Sequence, residues 1–169
     1  MITRLLRAAG RAFIHHLIQW SEALALWLVR SSKSRGSDAT FAARRARQEV
    51  DAKHWEDAIG LSKLAIAADP TYAEGYRRLA EGLRGKGDLD AAREVVQRGL
   101  RIAPTSVSLQ ALLGYIDLDA KDYPTAEAAL RRALELESDP SAPSAIHLAF
   151  WLGKTLVEQD RLEEAAEVW

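Results

Sequence analysis

From residue 39 onward, bulky, small and polar positions recur at an interval of 34 residues. Trp55, Leu89 and Tyr123 keep that interval, as do Ile66, Leu100 and Leu134, and the pair Leu79 and Leu113. Small residues keep it too: Ala58, Ala92 and Ala126; Ala46, Ala80 and Gly114; Ala65, Gly99 and Ala133. Pro70 and Pro104 mark the same point of two successive periods. A fourth copy follows at an interval of 39, which maps Leu113 onto Leu152, Gly114 onto Gly153, Tyr123 onto Leu162 and Ala126 onto Ala165. Its five extra residues fall around Ser138-Asp139-Pro140-Ser141-Ala142-Pro143, a breaker-rich stretch where a loop absorbs length.

Each period holds two helices. The pattern predicts 39–52 with 55–68, 73–85 with 88–102, 106–119 with 123–137, and 144–158 with 161–169. Alanine, leucine, arginine and glutamate dominate, so local propensity favours helix almost throughout. Ala80, Gly114 and Gly153 on one helix, and Ala58, Ala92, Ala126 and Ala165 on its partner, stand where antiparallel helices must approach closely. Leu79, Leu113 and Leu152 fill the space between. Gly87-Asp88 and Lys121-Asp122 end one helix and cap the next, and Pro124 fits a first helical turn. The first helix has the weakest pattern, with Ala42 and Arg45 where other copies are bulky. No pair can bury its apolar face alone, so stability must come from stacking.

The stretches from Trp55-Glu56-Asp57-Ala58 to Asp69-Pro70, from Tyr76-Arg77-Arg78-Leu79-Ala80 to Ala103-Pro104, from Leu113-Gly114 to Leu134, and from Trp151-Leu152-Gly153 to Trp169 carry a recognisable signature. It resembles that of the tetratricopeptide repeat family, over residues 39–169. The resemblance implies an all-α fold: a right-handed superhelical solenoid of antiparallel helix pairs, preceded by an N-terminal amphipathic helix. About four repeats are expected, at 39–72, 73–106, 107–145 and 146–169, the last incomplete. The pattern stops at Trp169 without a polar capping helix; the expectation is that the sequence belongs to a longer chain, or else that another surface covers Trp169.

Residues 1–30 lie outside the repeat. Ile2, Leu5, Leu6, Ala9, Phe13, Leu17, Trp20, Leu24 and Trp27 gather on one side of a helix, with Arg4, Arg7, Arg11, His15, Gln19 and Glu22 opposite. A basic linker over 31–38 follows. Three readings stay open: a packing helix, a membrane-surface helix over 2–29 with Trp20 and Trp27 at the lipid boundary, and a targeting peptide or span. His15, His16, Gln19 and Glu22 interrupt the apolar run, which argues against a span.

Charge sharpens this division. Residues 1–47 sum to +7 and the remainder to −8, inside a chain of net charge −1. An acidic body is the wrong sign for phosphate attraction, so nucleic acid is not an expected partner. The chain has no cysteine, which excludes disulfides, thiolate metal sites and a cysteine nucleophile. His15 and His16 point about 100° apart on a helix, and His54 and His147 read as surface or boundary residues. Glu81–Asp88 has glycine and lysine but not phosphate-loop spacing, and Gly60-Leu61-Ser62 is no nucleophile elbow. No enzyme, no cofactor and no metal are expected.

In the resembled family, the first helix of each pair lines a concave groove that receives peptides or helices. The groove candidates are Arg44, Arg47, Arg77, Glu81 and Arg84, then Ser108, Ala111 and Tyr115, then His147, Phe150 and Lys154. Arg47, Arg77 and Arg84 together would favour an acidic peptide or a C-terminal carboxylate. The chaperone-tail clamp is not matched, because Ala43, Arg47, Arg77 and Glu81 occupy its places. The expectation is a cytoplasmic scaffold or adaptor for protein partners, peripheral to a membrane under the surface-helix reading. The alternative is a substrate-recruiting or regulatory array of a longer enzyme, for example a transferase, with its catalytic domain beyond Trp169.

Overall fold

The computed structural model describes residues 36–169. The helix expected over 1–30 and most of the linker lie outside the described residues. Eight helices follow one another, and no strand occurs among the described residues. They are α1 (36–51), α2 (Trp55–Ala68), α3 (Ala73–Lys86), α4 (Leu89–Ile102), α5 (Val107–Asp119), α6 (Tyr123–Leu136), α7 (Pro143–Glu158) and α8 (Leu162–Val168). Residues 36–38, read from the sequence as the end of the linker, are already helical. From α2 to α8 each helix packs on its neighbour in the chain, and α3 also meets α5. Ala39–Trp169 forms one compact unit, an all-α helical-repeat solenoid.

The turn inside each pair has one geometry. Gly87 takes φ 90° and donates its N–H to Arg84 O at 2.9 Å, while Asp88 N–H reaches Leu83 O at 2.9 Å. This two-bond closure satisfies the helix's last carbonyls. The other pairs close identically through Lys53, Lys121 and Asp160, at φ 61°, 61° and 62°. Their bonds run Lys53 to Val50 and His54 to Glu49, Lys121 to Leu118 and Asp122 to Asp117, Asp160 to Val157 and Arg161 to Leu156. Asp88 and Asp122 then cap the following helix, accepting from Ala91 and Thr125 N–H at 3.4 Å.

Between pairs, Asp69 Oδ1 accepts from Thr71 N–H at 2.9 Å and from Thr71 Oγ1 at 2.7 Å. Tyr76 O–H ties α3 back to this turn by donating to Pro70 O at 2.9 Å. The inserted loop rebuilds the same turn with Asp139 and Ser141. Two of the five extra residues lengthen this loop, and three lengthen α7, which has 16 residues against 13 in α5.

The small-residue columns are buried between helices. Ala58, Ala80, Ala92 and Ala126 have no exposed surface, and Ala165 has 1%. A Cβ on Gly114 would come within 2.7 Å of Leu130 Cγ, and one on Gly153 would run into the Trp169 indole. The first helix holds despite Ala42 and Arg45, because Ala39, Ala43 and Ala46 bury a face of alanines instead. One apolar cluster joins Ile59, Tyr76, Leu79, Val96, Leu109 and Ile116. A second joins Leu130, Leu148, Leu152 and Leu156.

Candidate peptide-binding surface

On α3, Tyr76, Leu79 and Ala80 turn into the core. Arg77, Glu81 and Arg84, spaced for the other face, are left half-buried beside it. Side chains then link one first helix to the next. Arg84 Nε donates to Asp119 Oδ2 on α5 at 2.6 Å, and its guanidinium lies 5.5 Å from the centre of the Tyr115 ring. Tyr115 in turn meets His147 at 5.8 Å and Trp151 at 5.5 Å, both on α7. Shallow hollows follow the same line. One of about 210 Å³ lies between α1 and α3, beside Arg44, Arg47, Tyr72 and Glu74. Another, of about 350 Å³, is lined by Val50, Trp55, Glu81, Arg84 and Asp119. A third, of about 360 Å³, lies between α5 and α7, beside Ser108, Ala111, Tyr115 and His147.

Electrostatics divide this surface. Arg77 donates to both oxygens of Glu74 at 2.8 and 2.7 Å and to Glu81 Oε1 at 2.6 Å. Arg78, which is buried, bonds the same two carboxylates at 2.8 and 2.7 Å. Burial pushes the Glu74 carboxyl up, but hydrogen bonds and charge from Arg77 and Arg78 outweigh it and hold the group below its usual range. Burial likewise pulls Arg77 down, and Glu74 and Glu81 more than restore it. The middle of the surface is therefore neutral, since two cations are consumed by two anions.

The trio of Arg47, Arg77 and Arg84 does not present three free charges. Arg77 and Arg84 are paired inside the array. Arg47 remains well exposed, 3.9 Å from Asp51. Arg44 is exposed and has no partner among the described residues. Lys154 is exposed, with its ammonium 4.8 Å from the Trp151 ring centre. Cations open to a ligand thus stand at the two ends, on α1 and α7.

Phe150 lies elsewhere than the spacing suggested. It stacks on Trp169 at 6.5 Å and lines, with Leu134 and Ile146, an apolar cleft of about 640 Å³ between α6, α7 and α8. Trp151, which sequence reasoning did not assign to the groove, occupies the ledge. Its Nε1–H donates to His147 Nε2 at 2.7 Å, which fixes both rings beside Tyr115. The spacing of Trp151 from His147 and Lys154, one helical turn in each direction, was the signal for it.

Two stretches that share residue types with catalytic loops serve the fold. Glu81–Asp88 ends α3 and forms its turn. Ser62 is fully buried in α2, with Oγ donating to Ala58 O at 2.7 Å. Glu49, His54 and Asp57 do converge, with one donor atom from each within 4.8 Å of the others. The sequence hid this cluster because its members straddle a turn and share no helical face.

Helix pairs closed by one turn and packed through the same small columns are what a repeat family's sequence model detects, and residues 49–115 match that of the tetratricopeptide repeat. Residues 49–115 are tetratricopeptide repeats, and the array as a whole shares that fold. Its fold is similar to that of a thermophilic tetratricopeptide protein of Thermus thermophilus, at TM-score 0.68 and 26% identity over 92% of this chain and 82% of that one. It is also similar to pilF of Pseudomonas aeruginosa, at TM-score 0.73 and 18% identity over 80% of this chain and 60% of that one. The TPR2B domain of yeast Sti1, solved in a complex with pHsp70, matches at TM-score 0.67 and 18% identity over 72% of this chain and 98% of that one. No curated protein matches the chain significantly. Among the described residues, no helix of this tetratricopeptide array is long and apolar enough to cross a membrane.

Proposed function

We propose that the face formed by α1, α3, α5 and α7 receives a peptide or helix from another protein, which makes the chain a non-catalytic scaffold or adaptor. The observation that carries this reading is the Tyr115–His147–Trp151 ledge with Arg84 and Lys154 against its rings. These side chains lie outside the buried core, yet packed helices hold them in fixed relation. An apolar or aromatic side chain of a ligand would rest on the ledge. Acidic groups, including a terminal carboxylate, would meet Lys154 at one end and Arg44 and Arg47 at the other. The net −8 of residues 48–169 supports a protein partner over a nucleic acid. A complex of one similar fold, yeast Sti1 with pHsp70, supports the same class of partner.

The test is affinity capture with a triple variant, Arg44→Glu, Arg47→Glu and Lys154→Glu, beside a control carrying Arg101→Glu and Arg132→Glu on second helices. Captured proteins should be lost from the first and kept by the second, with circular dichroism unchanged in both. Retention of the same proteins by the triple variant would refute the assignment.

A further inference from the structure

The turn between α1 and α2 brings together three groups that can share one cation. Glu49 stands in the last turn of α1, His54 is the N-cap residue of α2, and Asp57 lies in the first turn of α2. One donor atom of each falls within 4.8 Å of the others, and His54 Nδ1 is 3.0 Å from Glu49 Oε2. The backbone fixes this arrangement: His54 N–H bonds Glu49 O at 2.9 Å, and Lys53 N–H bonds Val50 O at 3.0 Å.

The other repeats show what this one has given up. In the columns of Glu49, His54 and Asp57, the second repeat carries Leu83, Asp88 and Ala91, and the third Asp117, Asp122 and Thr125. Asp88 and Asp122 cap their helices, whereas the His54 side chain makes no cap bond. The fourth repeat carries Leu156, Arg161 and Glu164, where Arg161 pairs with Glu164 as a permanent cation. An imidazole in that column is a cation only when protonated; when neutral it offers a lone pair. Two carboxylates facing a neutral imidazole then need a positive charge between them. Glu49 sits at the C-terminal end of α1, where the helix dipole favours a cation. Arg45, 3.6 Å from the other oxygen of Glu49, answers part of that need.

We propose that Glu49, His54 and Asp57 form a binding site for a divalent transition-metal ion of the zinc or nickel type. One imidazole and two carboxylates suit such ions better than magnesium or calcium, which take oxygen donors alone, or copper(I), which prefers sulfur. His54 and Asp57 are exposed, so the remaining coordination positions are open to water and the affinity is moderate. The ion would staple α1 to α2. It would thereby steady the helix that carries Arg44 and Arg47, whose own buried contacts are alanines.

The experiment uses the full chain with His15, His16 and His147 replaced by alanine, which leaves His54 as its one imidazole. Isothermal titration with zinc chloride should give one site, and the melting temperature should climb with zinc concentration. Cobalt should produce visible absorption bands from a protein-bound ion. His54→Ala and Asp57→Asn should each weaken binding at least tenfold and abolish the cobalt bands, while magnesium should have no effect on the parent. Both substitutions fall on exposed positions, and circular dichroism checks that each variant folds. The site is disproved if zinc neither binds nor stabilises the parent at millimolar concentration. It is equally disproved if zinc binding survives either substitution unweakened.

Discussion

Replacing Arg93 with leucine would leave the Asp117 carboxylate without its cation in a place no solvent reaches. Asp117 has no exposed surface; its Oδ1 accepts from Arg93 Nε at 2.7 Å and lies 2.6 Å from Nη2, while Oδ2 has no partner. Burial already pushes the Asp117 carboxyl above its usual value, and Arg93 pulls it only part of the way back. Removing one partner of a buried pair costs about 3–5 kcal/mol. Arg93 itself is 27% exposed, so water can follow into its place, and the loss belongs at the lower end, about 3 kcal/mol. For a chain of this size that is a fall in melting temperature of about 6–12 °C. Adding Asp117→Leu to Arg93→Leu should recover most of the loss, because the same column holds Leu83 and Leu156 in other repeats.

The pH dependence has a definite sign. A carboxyl whose folded pKa is raised destabilises the fold as pH climbs from its unfolded value, near 3.8, through the folded one. Arg93→Leu raises the folded value further. Its deficit should therefore shrink between pH 7 and pH 5, and the double variant should show no such recovery. Urea and thermal denaturation measure the totals. Hydrogen exchange in α4 and α5 localises the effect, since a repeat array need not unfold as one unit. A deficit below about 1 kcal/mol at pH 7, or a double variant no better than the single, would refute the reasoning, because a buried unpaired charge cannot be that cheap.

Three further outcomes follow from the turns and the helical glycines. Lys121→Gly should stabilise the array by about 0.5–1 kcal/mol, since the left-handed conformation strains lysine and not glycine; an unchanged urea midpoint would contradict this. Gly114→Val should cost about 3 kcal/mol or more through overpacking against Leu130. Gly60→Ala, whose new methyl meets nothing within 4 Å in α2, should instead gain about 0.5–1 kcal/mol. Equal effects at the two glycines would show that close approach is not what the column enforces.

The helices were legible because packing constrains them at fixed spacing. Every close approach needs a small residue, and Ala58, Ala92, Ala126 and Ala165 report that directly. The turns at Gly87 and Lys121 were readable, but residue type announces a left-handed conformation only at Gly87; Lys53, Lys121 and Asp160 share it through column alignment. The weak first helix failed to look like its counterparts because its buried face is alanine rather than bulky. On the candidate surface, helical spacing told which side chains point outward, but not which of them consume one another. Glu74 and Glu81, three before and four after Arg77, were readable partners. The Arg84–Asp119 pair crosses between repeats, and no local pattern announces it. Phe150 shares a helix with the ledge residues yet turns toward Trp169, a rotation that spacing alone could not resolve.

Identical backbones raise the question of what keeps the repeats in order, and one pair of columns answers it. The first column reads Ile59, Arg93, Glu127 and Ala166, and the second Glu49, Leu83, Asp117 and Leu156. Between the first and second repeats, Ile59 and Leu83 belong to one apolar cluster. Between the second and third, Arg93 meets Asp117. Between the third and fourth, Leu156 offers no charge, and Glu127 turns to Arg161 and Gln159 outside the column, accepting from Gln159 Nε2 at 2.9 Å. A register slipped by one repeat would set Glu127 or Ile59 against Asp117, burying a carboxylate beside a like charge or beside no charge at all. Each such mismatch costs several kcal/mol, comparable to the whole stability margin of a small domain of about 5–15 kcal/mol. The Arg93–Asp117 pair, whose carboxylate is fully buried, thus penalises the wrong order whatever it adds to stability in the right one. This also explains why leucine, which serves that column in two repeats, is absent from the third.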